Sequence, residues 1–156
     1  MKMSDADQIA YRAFRYYVKV NIPEVANIPA IVFAIKKLAG KTSTATIKNA
    51  LKWGREPTIR IVTDLRGSDG KKAFGLYSWG SNVIQVDRAL VEEFCAGKGT
   101  VVTAHGRKVY LLGATLLHEL THWSDAQDGV DDEVAGDPTN EEGNQFERDV
   151  YGGITG

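Results

Sequence analysis

The chain has 156 residues, enough for one compact domain with its own core, and its hydrophobic (43%) and charged (25%) fractions are ordinary for a globular protein. A net charge of -1 excludes the electrostatic footprint of a nucleic-acid binder, and the single Cys95 excludes an internal disulfide framework or a cysteine-rich zinc site. The longest apolar stretch, residues 28–34, is too short to insert across a membrane, and the first residues carry neither an apolar core nor a cleavage site, so synthesis in the cytoplasm without a signal peptide is expected.

Ser4 or Asp5 can cap a first helix that carries Ile9, Ala13, Tyr16, Tyr17 and Val20 at helical spacing and ends at Asn21-Ile22-Pro23. Pro29 opens a second helix through Ala30, Phe33, Ala34, Lys37 and Leu38, stopped at Gly40. Residues 44–53 read as a third helix, closed by Gly54. All three faces are expected to pack in the core. After Pro57 the character changes. Residues 58–63 are β-branched and alternate, which predicts a strand; residues 73–79 and 83–86 predict two more, joined by the turn Gly80-Ser81-Asn82. A short helix over residues 87–94 follows, with Cys95 expected as a small buried residue. Residues 101–103 and 108–110 can pair across His105-Gly106-Arg107. A long apolar helix then ends near Asp125, an acidic loop runs to Pro138, and a last helix begins near Thr139-Asn140. Helices, then a small mixed or antiparallel sheet, then helices again argue an α+β domain over residues 1–156, with a helical part (1–56) and a part combining sheet and site-bearing helices (57–156).

The long apolar helix contains His118-Glu119-Leu120-Thr121-His122, a complete HExxH pattern that holds two of the three histidines in the chain. Residues four apart lie on one helical face, so both imidazoles can grip one Zn2+ while the intervening glutamate serves as general base. A catalytic zinc takes a third protein ligand. The extended pattern HExxHxxGxxH fails here, because its positions are occupied by Asp125 and Asp128. Asp128 can offer a carboxylate, but without Gly at 125 the helix lacks the usual device for turning sharply. Asp125, Asp128, Asp131, Asp132 and Glu133 read together as a solvated acidic loop that matches no calcium-loop pattern. The better candidates lie on the last helix. Glu147 has Gly143 one turn before it, where a missing side chain lets two helices approach; Glu142 has the spacing from His122 found in thermolysin-like enzymes. They flank the Phe146–Val150 stripe on opposite sides, so one of the two is expected to face the metal.

The run from His118 to Trp123, then Glu142-Gly143-Asn144-Gln145-Phe146-Glu147, then Tyr151-Gly152, resembles the small zinc metallopeptidase domains of bacterial polymorphic toxins and secreted effectors. The likeness covers residues 74–152 and leaves the first three helices without a counterpart. It implies a zincin-like fold of the gluzincin branch, in which a helix-borne glutamate is the third ligand, and this tips the choice to Glu147 with Glu142 as the alternative. It also implies a strand that holds substrate extended, with residues 83–86 or 74–79 in that part.

The reaction expected is amide hydrolysis by an activated water, with Glu119 relaying its proton to the leaving amine. His105 and Tyr151 are the candidate oxyanion donors, with Tyr77 and Tyr110 also available. Asp125 and Asp149 are candidate partners for an imidazole N–H. The expected partners are a peptide or protein substrate, an immunity protein and a secretion apparatus that delivers the domain to another cell. Rival readings are a zinc amidase acting on cell-wall peptides and a binding domain with a structural zinc. Nucleotide binding is not expected: Ala39-Gly40-Lys41-Thr42 resembles the end of a phosphate loop, but Ile35 stands where that loop needs glycine.

Overall fold

The computed structural model describes residues 1–131, 134 and 141–156. Strands β1 (Lys2–Met3), β2 (Thr58–Val62), β3 (Gly75–Tyr77) and β4 (Val83–Asp87) form one mixed sheet in the order β1-β2-β4-β3. β1 and β4 lie parallel to β2, and β3 runs antiparallel to β4 along the sheet edge. Alternation sets the register of the sheet. Ile59 and Ile61 of β2 and Ile84 and Val86 of β4 are buried, whereas Arg60 between them is exposed.

The helical elements are α1 (Asp5–Ala10), α2 (Arg12–Tyr16), α3 (Ile22–Glu24), α4 (Pro29–Leu38), α5 (Thr44–Leu51), α6 (Arg88–Cys95), α7 (Leu111–Ala126) and α8 (Glu142–Tyr151). A separate hairpin, β5 (Thr100–Val102) with β6 (Lys108–Tyr110), leads into α7. The expected start of the last helix, Thr139-Asn140, lies outside the described residues, as do Asp132 and Glu133. Among the described residues no single helix is long and apolar enough to cross a membrane.

The expected first helix is broken into pieces. Ser4 caps α1, its Oγ accepting from the Asp7 N–H at 3.1 Å, but Tyr11 leaves the helical region (φ -125°, ψ 65°) and a π-helical turn follows α2 at Tyr17–Asn21. Chain direction continues through Pro23, which is tolerated in the first turn of α3. The buried side is Phe14, Val18 and Ile22, whereas Ile9, Tyr16 and Val20 face outward. Two apolar stripes compete on this segment, and both repeat every three or four residues. The break at Tyr11 and the wider π turn rotate the second stripe inward. In α4 the buried residues are Val32, Ala34, Ile35 and Leu38, with Phe33 exposed. Cys95 is exposed as well, at the end of α6 where the helix leaves the core.

One hydrophobic cluster joins both parts of the chain: Phe14, Ile35 and Leu51 pack with Ile59, Ile84, Leu116, Leu120 and Phe146. Helix α7 runs through its middle. Its sixteen residues span about 24 Å at 1.5 Å per residue, and most are buried on every side, the pattern of a central helix. Two of its polar side chains are bonded within the core: Thr121 Oγ1 donates back to the Leu117 carbonyl at 2.9 Å, and Trp123 Nε1 donates to Asn82 Oδ1 at 3.2 Å. The second bond ties the helix to the turn before β4. Helix α8 lies against α7 and ends on Gly152 in the left-handed conformation (φ 78°), where few side chains are tolerated.

Candidate metal centre

His118 and His122 project from one face of α7 with ring centroids 5.2 Å apart. Their Nε2 atoms converge on one carboxylate oxygen, Oε1 of Glu141, at 3.3 Å from His118 and in close contact with His122. Glu141 stands at the residue before α8, and its other oxygen caps that helix by accepting from the Asn144 N–H. A single side chain therefore fixes the start of α8 and meets both imidazoles. The His118, His122 and Glu141 donor atoms all lie within 4.8 Å of one another. Two imidazole nitrogens and one carboxylate oxygen, with an open side, form a donor set of the kind that suits catalytic zinc.

The far nitrogens are held just as specifically. Glu147 Oε1 lies 2.7 Å from His118 Nδ1, and Glu142 Oε2 lies 3.1 Å from His122 Nδ1. Glu147 is in turn gripped by Thr155, whose N–H and Oγ1 donate to Oε2 at 2.5 and 2.8 Å. Partners on Nδ1 fix the tautomer and ring orientation that leave Nε2 facing the open side. Glu147 and its alternative Glu142, expected on the metal face, both lie behind the rings in the structure, and Glu141 lies in front, where the two Nε2 atoms converge. The physical reason is the end of the helix. Helical spacing orders the residues within α8, but the carboxylate that reaches between the rings sits at its cap, outside the helical wheel.

Gly143 explains how α8 comes so close. A Cβ built there would fall 2.3 Å from His118 Cδ2 and Nε2. The close approach expected of this glycine is present, against an imidazole ring.

Burial alone would pull the His118 imidazole down, but the Glu141 and Glu147 carboxylates outweigh it and push it up to about 10. Burial is likewise overcome at His122 by Glu141 and Glu142, which push it up to about 9. Burial would raise Glu141, yet its hydrogen bonds to the two histidines hold it well below the usual carboxylate range. The imidazoles and the carboxylates around them thus favour each other's charged forms.

Glu119 points to the same cleft and is buried. Burial raises its pKa, against the lowering effect of both histidines and a backbone bond from Tyr77. β3 supplies the opposite wall. A Cβ at Gly75 would fall 2.9 Å from Glu119 Cγ, so the strand's backbone lies directly against this carboxylate. The cleft, about 330 Å3, is lined by β3 and Trp79 on one side and by the histidines and glutamates on the other. A larger hollow, about 860 Å3, lies elsewhere: it carries Ile9, Tyr16 and Val20 and none of the histidines.

The other candidates fall as follows. His105 packs against Gly152 beyond α8, and Tyr151 is buried against Phe146 with its ring centroid 6.0 Å away; neither lines the cleft. Tyr110 joins an aromatic cluster with Tyr17 and Phe94. Tyr77 lines the cleft, but its hydroxyl is engaged by the Gly80 N–H and the Ser81 carbonyl, each at 3.1 Å. Asp128 accepts from the Lys41 and Val130 N–H groups on the surface, away from both histidines. Asp149 pairs with Lys37 at 3.1 Å; it does not serve an imidazole, because Glu142 and Glu147 fill that role. Between β3 and β4 as the strand that offers an edge, the topology selects β3, since β4 is paired on both sides.

A family model described as Metallopeptidase toxin 3 matches residues 7–152. No curated protein and no solved structure matches the chain.

Proposed function

Because the chain belongs to the metallopeptidase toxin 3 family, we propose that it is a zinc-dependent peptidase of the HExxH type, acting on a peptide or protein substrate. The observation that carries this reading is the convergence of His118 Nε2, His122 Nε2 and Glu141 Oε1 beside a buried Glu119. His118, His122 and Glu141 would hold the metal. Bound zinc supplies a Lewis acid that polarises the scissile carbonyl and acidifies the attacking water.

The chain's own residues supply the rest. Glu119 takes a proton from the attacking water and passes it to the leaving amine; its raised pKa brings the carboxylate nearer the operating pH of a general base. Glu147, steadied by Thr155, and Glu142 keep the imidazoles turned the productive way. Among the described residues β3 is the edge strand that lines the cleft; its Tyr77 N–H bonds Glu119, and its remaining outward main-chain groups can pair with an extended substrate, whose scissile bond then lies between the strand and α7. This edge favours a peptide over a compact small molecule.

Biologically, the proposal is a bacterial effector made in the cytoplasm and delivered to another cell by a secretion system, with an immunity protein guarding the producer. The decisive experiment combines metal analysis with a Glu119→Gln variant assayed on a peptide library. Zinc at one per chain in both proteins, with cleavage falling by at least a factor of about 10² in the variant, is expected. Equal cleavage by both proteins refutes Glu119 as base, and metal-free protein that cleaves normally refutes the zinc mechanism.

A further inference from the structure

A second group of carboxylates lies beside the first centre, where the last turn of α7 meets the first turn of α8. One oxygen from each of Asp125, Asp131 and Glu142 falls within 4.8 Å of the others. Asp125 and Glu142 are only 1% and 5% exposed, while Asp131 is open to solvent. The sequence reads the acidic residues here as a solvated loop, but burial separates Asp125 from that description.

Glu142 gives an independent sign that something else binds. Its Oε2 meets His122 Nδ1, whereas its Oε1 is buried and accepts no hydrogen bond among the described residues. A buried acceptor left unmatched is costly, and it is more so for a carboxylate near two others. A cation removes both penalties at once.

We propose that Asp125, Asp131 and Glu142 form a binding site for a hard divalent cation of the calcium type, with Glu142 bridging it to the zinc centre through His122. All three donors are oxygens, which disfavours zinc and suits a hard ion. Three carboxylates with one side open to water fit the loose, many-oxygen coordination of calcium better than the strict octahedron of magnesium. The site stands on its own geometry and rests on the zinc reading only for the meaning of the Glu142 bridge. Its occupancy fixes one end of α8 to α7, independently of the metal between the histidines.

Terbium luminescence tests this, because Trp79 and Tyr77 line the same cleft and can sensitise a bound Tb3+ ion. The full chain is loaded with zinc, titrated with Tb3+, and its zinc content measured before and after. The expected result is a saturable signal from one ion per chain with zinc retained, displaced by Ca2+ at much lower concentration than by Mg2+. Asp131→Asn, an exposed substitution outside the zinc ligands, is expected to weaken binding at least tenfold. No saturable signal, unchanged binding by Asp131→Asn, or a signal that rises only as zinc leaves would each overturn the proposal. Saturable binding by a protein that holds no zinc upholds this site and counts only against the zinc reading.

Discussion

Replacing Gly143 with alanine is expected to lower zinc affinity by more than about a hundredfold. The added Cβ would lie 2.3 Å from His118 Cδ2 and Nε2 and 2.6 Å from Cε1. Carbon contacts settle near ~3.5 Å, so the ring must retreat by roughly 1 Å. Metal sites tolerate displacements of only about 0.2 Å in ligand distance. Retreat also pulls Nδ1 from Glu147, a 2.7 Å bond, and losing such a partner alone typically costs ~10–100-fold. A hundredfold loss corresponds to about 2.7 kcal/mol. The fold itself should survive: alanine favours a helix interior over glycine by about 1 kcal/mol, and His118 can swing into the adjoining cleft. The assay is competition against a chromophoric zinc chelator, with circular dichroism on the metal-free protein. A natively folded Gly143→Ala protein that binds zinc within about threefold of wild type would refute the packing argument, since displaced ligands cannot keep that affinity.

Glu141→Ala should abolish competitive zinc binding, whereas Glu142→Ala and Glu147→Ala should weaken it by about 10–100-fold each; chelator competition across the three variants checks the order, and a reversed order would return the ligand role to α8. Zinc binding at pH 7 should release about two protons, because both histidines, raised to about 10 and about 9, are charged in the metal-free protein. Their contribution to metal-free stability is therefore complete below about pH 6.5 and is lost as pH rises through 9 to 10, while zinc affinity climbs over the same interval. Calorimetry in buffers of different ionisation enthalpy reads the proton count, and a value near zero contradicts the ion-paired cluster. Phe14→Ala should destabilise the fold by about 3–5 kcal/mol and Ile9→Ser by less than about 0.5, measured by urea unfolding.

Much of the fold is legible in the sequence where one signal dominates. The strands of residues 58–62 and 83–87, the β5–β6 hairpin and the α7 helix each carry a single clear period or a glycine turn, and they form with small shifts at their ends. The first helix fails because two apolar stripes share it and a π turn, with no distinct residue pattern, decides between them. Lys2–Met3 is too short to announce itself as a strand; it forms by borrowing the edge of β2. At the centre, the HExxH pair and Gly143 carry their geometry in their spacing. Glu141 does not. Beside Glu142, it reads as an ordinary acidic residue at a helix start, and only the angle at which α8 meets α7 turns its carboxylate toward both rings. A signal was nevertheless present, since two histidines with one glutamate apiece behind them still lack a partner in front, and three glutamates stand on or beside the last helix.

The shortness of β3 limits how the cleft can choose what it cuts. Three residues give a visiting chain only a few main-chain hydrogen bonds, which any sequence can satisfy, so pairing sets direction and not identity. Preference must come from what stands at the two ends of the strand. Phe74, just before it, is 40% exposed, and Trp79, just after it, is 51% exposed. Each presents a large, partly exposed apolar face, and apolar contacts of this kind discriminate by only about 1–3 kcal/mol per side chain. Under the proposed peptidase reading, a cleft built this way would read bulk on either side of the bond and tolerate variation elsewhere.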